Sequence, residues 1–139
     1  MDNLMTPYQM LEEFHTTYGV AINQPFTPEL IDLRVSLIHE EFCEVEDEFY
    51  PTDKVPDLII ELDVDKKKLT KELADLMYVT IGTATTFGLP LEEVFAEVHK
   101  SNMSKLGPDG KPILRADGKI LKSPNYKEPD LDQFFKDAE

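Results

Sequence analysis

A chain of 139 residues with 41% apolar side chains has the size of one ordinary domain with a modest core. Its 14 Lys and Arg stand against 28 Asp and Glu, a formal net charge of −14, which argues against docking on duplex phosphates or on an anionic membrane. One cysteine, Cys43, excludes an internal disulfide and suits a reducing cytoplasm, and neither a leader-like start nor an apolar run near about 18 residues is present, so a soluble cytoplasmic protein is expected.

The first predicted element is a helix over "TPYQMLEEFHTTYG". Thr6 is its N-cap, Pro7 suits the first helical position, Gln9 completes a capping box, and Gly19 is the stop. "TPEL" repeats the start signal with Thr27 as cap, and a helical period then runs to about Tyr50, ahead of Pro51. Residues 51–65 hold two prolines and no helical stripe, and are a connection or a short turn of helix. A third helix fits "KKLTKELADLMYVTIGTATTF" and closes at Gly88; "LPLEEVFAEVHKSNMSKL" is a fourth, closing before Gly107. "KPILRADGKILK" sets two apolar runs around Asp117-Gly118, a β-hairpin signal of the type I′ kind. "SPNYKEP" is a proline-bounded loop, and "DLDQFFKDA" suggests a short last helix. The expectation is one all-α domain, a four-helix bundle over about residues 6–106 with a small C-terminal β-hairpin and tail over 107–139.

The charge is unevenly distributed along this chain. Residues 1–99 carry 6 basic and 21 acidic side chains, net −15; residues 100–127 carry 7 and 2, net +5; residues 128–139 carry 1 and 5, net −4. An acidic helical body precedes a locally basic segment.

Helical phase decides which acids face inward, since successive residues turn by about 100°. In the second helix, with Glu41 at zero, Leu30, Leu33, Leu37, Ile38 and Val45 define an apolar stripe between roughly −80° and +60°. Glu44 at about −60° lies within it, Glu48 continues it, Glu40 lies on its edge, and Glu46 and Asp47 point away. In the third helix Glu72 and Asp75 share the face that Val79 continues. Two helices thus each place an i, i+3 carboxylate pair where apolar residues belong. Four facing carboxylates are costly unless some protonate or divalent cations sit among them. An all-oxygen donor set without His or Cys suits a hard ion, Mg²⁺ with Mn²⁺ as a substitute. Arg34, on the same stripe, is a second sink for negative charge, enough for one carboxylate.

"EEFCE" at 40–44, then 27 residues (45–71), then "ELAD" at 72–75, resembles the EExxE…ExxD signature of the MazG-like all-α nucleoside triphosphate pyrophosphohydrolases. That superfamily includes dimeric dUTPases and phosphoribosyl-ATP pyrophosphatases. The resemblance runs from about residue 28 to residue 126 and takes in "KSNMSKLG". It implies Mg²⁺ ligation by Glu41, Glu44, Glu72 and Asp75, with Glu40 as a further ligand or, with Glu41, part of the catalytic group that takes the proton from the attacking water. It implies cleavage between the α- and β-phosphates of a (d)NTP, with a purine such as dGTP or GTP as first substrate, and assembly as a homodimer or homotetramer. The competing readings are another nucleotide pyrophosphatase, of the dUTP or phosphoribosyl-ATP type, and a non-catalytic acidic helical interaction module.

Asn102 and Lys105 stand where family members contact the nucleotide; a lysine complementing a helix C-terminus is the plainer account of Lys105. Lys111, Arg115, Lys119 and Lys122 make the hairpin basic, which suits closure over a triphosphate, contact with a neighbouring subunit, or solvated edge strands. Tyr126 is placed to stack on a base or to pack on the body. Tyr8, Ile22 and Phe26 are expected in the core, and His39 and Cys43 as packing residues.

Overall fold

The computed structural model describes residues 4–50 and 63–135. The proline-bearing stretch over 51–62, expected as a connection or a helical turn, lies outside them. The element order is α1 (Pro7–Tyr18), α2 (Pro28–Phe49), α3 (Lys66–Phe87), α4 (Leu91–Met103), then a hairpin of β1 (Ile113–Leu114) and β2 (Ile120–Leu121) and a 3₁₀ turn at Asp132–Phe134. The fold is all-α with a small antiparallel hairpin, as the periodicity predicts.

The start signals work as read. Thr6 accepts from Gln9 N at 3.2 Å while Gln9 Oε1 accepts from Thr6 N at 2.8 Å, a complete capping box. Thr27 caps Leu30 N at 3.2 Å, and α3 has a cap that the sequence reading did not name, Asp65, which accepts from Lys68 N at 3.1 Å. Gly19 and Gly88 close α1 and α3 in the left-handed region, at φ 69° and 66°.

The chain divides into two compact units, Met1–Leu89 and Pro90–Glu139. In the first, α1 and α2 both pack on α3. Its buried apolar side chains are Leu11, Val45, Ile81 and Ala84, joined by the buried polar groups His15, Arg34 and Thr86. The 20–26 loop is tied to the end of α3, with Asn23 N and Gln24 N donating to Thr85 O and Thr86 O at 3.1 and 2.7 Å. The core is narrower than the apolar stripes suggested. Leu33, read as inward, is 47% exposed, because α2 has α3 on one side only within this unit. Phe26, expected in the core, is 62% exposed and stacks on Phe87 at 4.4 Å between ring centroids. Tyr8 and Ile22 are half-buried.

In the second unit α4 ends at Met103, short of the expected "SKL", because Ser104 Oγ turns back to Ser101 O at 2.6 Å and Lys127 N donates to it at 2.9 Å. The hairpin pairs Ile113 with Leu121 and Leu114 with Ile120. Its turn is not type I′: Asp117 lacks positive φ, and Arg115 N donates to Lys119 O across a three-residue loop. Asp117 favours this wider turn by accepting from Arg115 Nε at 2.8 Å and from Lys119 N at 3.2 Å, while Gly118 takes the left-handed position. The last helix expected at "DLDQFFKDA" is a single 3₁₀ turn within the described residues.

Candidate metal centre

The two i, i+3 pairs meet across the α2–α3 seam. Glu41 on α2 and Glu72 and Asp75 on α3 each present a carboxylate oxygen, all within 4.8 Å of one another, and each residue is half-buried. Antiparallel packing does this, since Glu41 and Glu44 advance along α2 as Asp75 and Glu72 recede along α3. Glu44 is exposed and lies outside that trio, but it stands close enough to Glu72 for that residue to be the main influence on its carboxyl.

The electrostatics are those of acids held too close. Burial, followed by the charges of Asp75 and Glu72, raises the Glu41 carboxyl above its ordinary value. The Glu44 carboxyl is raised first by the close approach of the Glu72 carboxyl, then by that residue's charge. Lys71 Nζ lies 2.6 Å from Asp75 Oδ2 and 3.7 Å from Glu72 Oε1, and Asp75 raises its ammonium in return. That one exposed lysine does not satisfy the set. Glu41 Oε2 and Glu72 Oε2 are buried with no hydrogen-bond donor among the described residues. Two buried, unpartnered carboxylate oxygens beside a third oxygen donor form a hard, all-oxygen set that fits a divalent ion of the Mg²⁺ class.

Other predicted residues are placed as follows. Glu40 is exposed beside Glu41, and its charge adds to the rise of the Glu41 carboxyl. Arg34 does not serve as a sink for carboxylate charge. It is buried and donates instead to neutral acceptors on α3, Nε to Thr83 Oγ1 at 3.0 Å and Nη2 to Val79 O at 2.8 Å. His39 and Cys43, expected to pack, are exposed and half-buried, with Nε2 and Sγ 3.5 Å apart. Asn102 and Lys119 are exposed, and Lys105 and Tyr126 half-buried, all in the second unit; Lys105 N donates to Asn102 O at 3.2 Å, a backbone bond at the end of α4 that brings no side chains together. Tyr126 instead carries the Lys122 ammonium over its ring, 4.7 Å from the centroid.

Lys71 is the site residue that phase reasoning missed. The available signal was its i, i+4 spacing to Asp75, the geometry of a helical ion pair.

The model of the phosphoribosyl-ATP pyrophosphohydrolase family matches residues 11–102, the span that contains the whole cluster. Among solved structures, one from Exiguobacterium sp. 255-15, described as a candidate NTP pyrophosphohydrolase, is 23% identical, covers 91% of this chain and 90% of its own, and has a TM-score of 0.42. No curated protein matches the chain. No described helix is long and apolar enough to cross a membrane.

Proposed function

Because the chain belongs to the phosphoribosyl-ATP pyrophosphohydrolase family, within the MazG-like all-α pyrophosphohydrolases, we propose that it is a Mg²⁺-dependent (d)NTP pyrophosphohydrolase. It cleaves between the α- and β-phosphates to give a (d)NMP and pyrophosphate. The observation that carries this reading is the pair of buried, unpartnered carboxylate oxygens of Glu41 and Glu72, facing Asp75 across two helices. A solvated acidic face, or a non-catalytic acidic interaction module, has no need to bury them.

Glu41, Glu44, Glu72 and Asp75 hold the metal, which when bound supplies neutralisation of the phosphate oxygens and acidification of the attacking water. Glu44 would join the ligands from beside Glu72, and the buried pair would fix where the triphosphate lies. Glu40, exposed next to Glu41, takes the proton from the attacking water, with Glu41 orienting that water. Asn102, Lys105, Lys119 and Tyr126 of the basic 100–127 segment bind the substrate, the lysines at phosphates and Tyr126 at the base or sugar. The protein works in the cytoplasm.

Substrate is a purine nucleotide, dGTP or GTP first. The family match favours one specific alternative, phosphoribosyl-ATP, which also carries a purine and an α–β phosphate anhydride. A panel of NTPs, dNTPs and phosphoribosyl-ATP with Mg²⁺, scored for pyrophosphate against orthophosphate, tests both readings. No turnover of any member removes the proposal, and orthophosphate as product reassigns the bond.

The protein is a homo-oligomer. Ile31, Val35, Ile38, Phe42, Val45 and Phe49 follow one another at alternating steps of 4 and 3 along α2, a heptad seam. Val35 is 60% and Phe42 49% exposed, and with Ile38, His39 and Leu76 they line a groove of about 320 Å³ along α2–α3.

A further inference from the structure

Arg34 and Gly82 are two costly choices made at one place. A guanidinium 5% exposed, with no carboxylate partner among the described residues, sits where a leucine would pack more cheaply; its neighbours on the same stripe, Leu30 and Leu37, are leucines. Burial lowers its pKa, yet an arginine stays charged. Opposite it, the interior of α3 carries a glycine, which costs a helix about 1 kcal/mol relative to alanine. A Cβ at Gly82 would lie 2.8 Å from Arg34 Nη2 and 3.1 Å from His15 Nε2. The glycine is therefore the space in which the guanidinium lies, between α1, α2 and α3. Departures from the cheapest packing are expected where function demands them.

The demand is visible in the spacing. From Arg34 to Glu41 along α2 is seven residues (41 − 34), and from Val79 back to Glu72 along α3 is also seven (79 − 72). Seven residues are two helical turns, about 10.5 Å. When Arg34 Nη2 donates to Val79 O and Nε to Thr83 Oγ1, one turn further on, Glu41 is therefore brought opposite Glu72 and Asp75. Apolar ridges alone allow two helices to slide or rotate with small loss, whereas a rigid two-pronged donor reaching two fixed acceptors does not. We infer that Arg34 is a positioning residue, the pin that holds α2 and α3 in the one register at which the two halves of the carboxylate cluster meet. Gly82 makes room for it, and His15 closes the junction from α1, its Nδ1 3.1 Å from Ala21 O and its imidazole kept neutral by burial. This inference rests on the metal reading of the cluster and assigns no contact between Arg34 and the metal or substrate.

The test is Mn²⁺ affinity, read by electron paramagnetic resonance on protein stripped of metal, at a temperature where far-ultraviolet circular dichroism shows every variant folded. Arg34→Lys keeps the charge and most of the stem but loses the fork. Its Mn²⁺ dissociation constant should rise about tenfold, as for other residues that orient metal ligands from behind. Thr83→Val, which removes one of the two acceptors and leaves Arg34 in place, should give a smaller rise in the same direction and serves where Arg34→Lys fails to fold. Ile81→Val, which weakens the same core layer without touching Arg34, should leave the affinity unchanged. Wild-type affinity in both Arg34→Lys and Thr83→Val, or an equal loss in Ile81→Val, overturns the pin. A wild type that binds no Mn²⁺, or an Asp75→Asn variant that binds it undiminished, removes the metal reading and the inference with it.

Discussion

Lys71 Nζ approaches Asp75 Oδ2 to 2.6 Å from one turn away on α3, so a lysine ammonium stands at the mouth of the carboxylate cluster. It also reaches Glu72 at 3.7 Å, and its side chain is otherwise largely in solvent. A divalent ion entering the trio meets this charge and must displace it. Lys71→Gln should therefore bind Mn²⁺ more tightly, about threefold at low ionic strength, with the difference shrinking as salt screens an exposed charge. Calorimetric titration at two salt concentrations checks this. Weaker binding in the variant would mean that Lys71 supports the loaded site.

The raised carboxyls of Glu41 and Glu44 make a statement about stability and pH. A glutamate held above its ordinary value of 4.5 in the folded state adds stability below that pH, and the contribution is lost as pH rises through the raised value. In chelator, the melting temperature should therefore drift down from these two groups between pH 4.5 and neutrality, and saturating Mg²⁺ should remove the drift, since ligation displaces the protons. Glu44→Gln removes the ionisable carboxyl beside Glu72. It should flatten the chelator profile, melt at or above wild type at neutral pH, and lose turnover. An undiminished slope in Glu44→Gln, or retained activity, contradicts the assignment.

These acids were legible in the sequence because helical phase is arithmetic: Glu41, Glu72 and Asp75 follow from 100° steps and from the register of two well-capped helices. The caps read there, Thr6, Thr27, Gly19 and Gly88, are local signals in which the side chain or backbone acts within four residues. What phase does not contain is the third dimension of the seam. Arg34 lies on the same stripe as the acids, yet it meets Thr83 and Val79 two turns away, because which residues oppose one another depends on how far the helices slide. Leu33 and Phe26 are apolar but exposed for a related reason, that a stripe says which side is greasy and not what covers it. The hairpin turn was misjudged because Asp-Gly serves both a two-residue turn and the last two positions of a three-residue loop; the Asp117 bond to Arg115 Nε decides between them.

Gly82→Ala should lower stability even though alanine is the better helix former. Propensity offers about 1 kcal/mol. Against it, the new methyl overlaps Arg34 Nη2 at 2.8 Å, and the guanidinium yields only by releasing Val79 O, with His15 Nε2 blocking the other side at 3.1 Å. Forcing a methyl into a filled site costs about 1–3 kcal/mol. A net loss of about 1 kcal/mol is expected in denaturant unfolding. In an Arg34→Met background the Nη2 overlap is gone and the tight contact that remains is His15 Nε2 at 3.1 Å, so the same change should cost clearly less. Equal effects in both backgrounds would separate Gly82 from Arg34.

The proposed homo-oligomer has a candidate interface in the α2 seam. A stable pair of subunits buries about 800 Å² on each partner, and the exposed faces of Ile31, Val35, Phe42 and Phe49 on α2, with Leu73 and Met77 on α3, form a band of apolar surface along both helices. A second copy laid across that band would turn two helices into four and cover it, with the heptad steps on α2 supplying interlocking side chains. Val35→Lys with Met77→Lys puts two charges into the band, each unpaired and stripped of water if the copies stay together. Sedimentation equilibrium should then report a monomer for the double variant and a dimer or tetramer for the wild type. Asp47→Lys alters charge on the opposite side of α2 and should leave the wild-type state intact. A monomeric wild type would end the homo-oligomer reading, and an unchanged mass in the double variant would move the interface to another face.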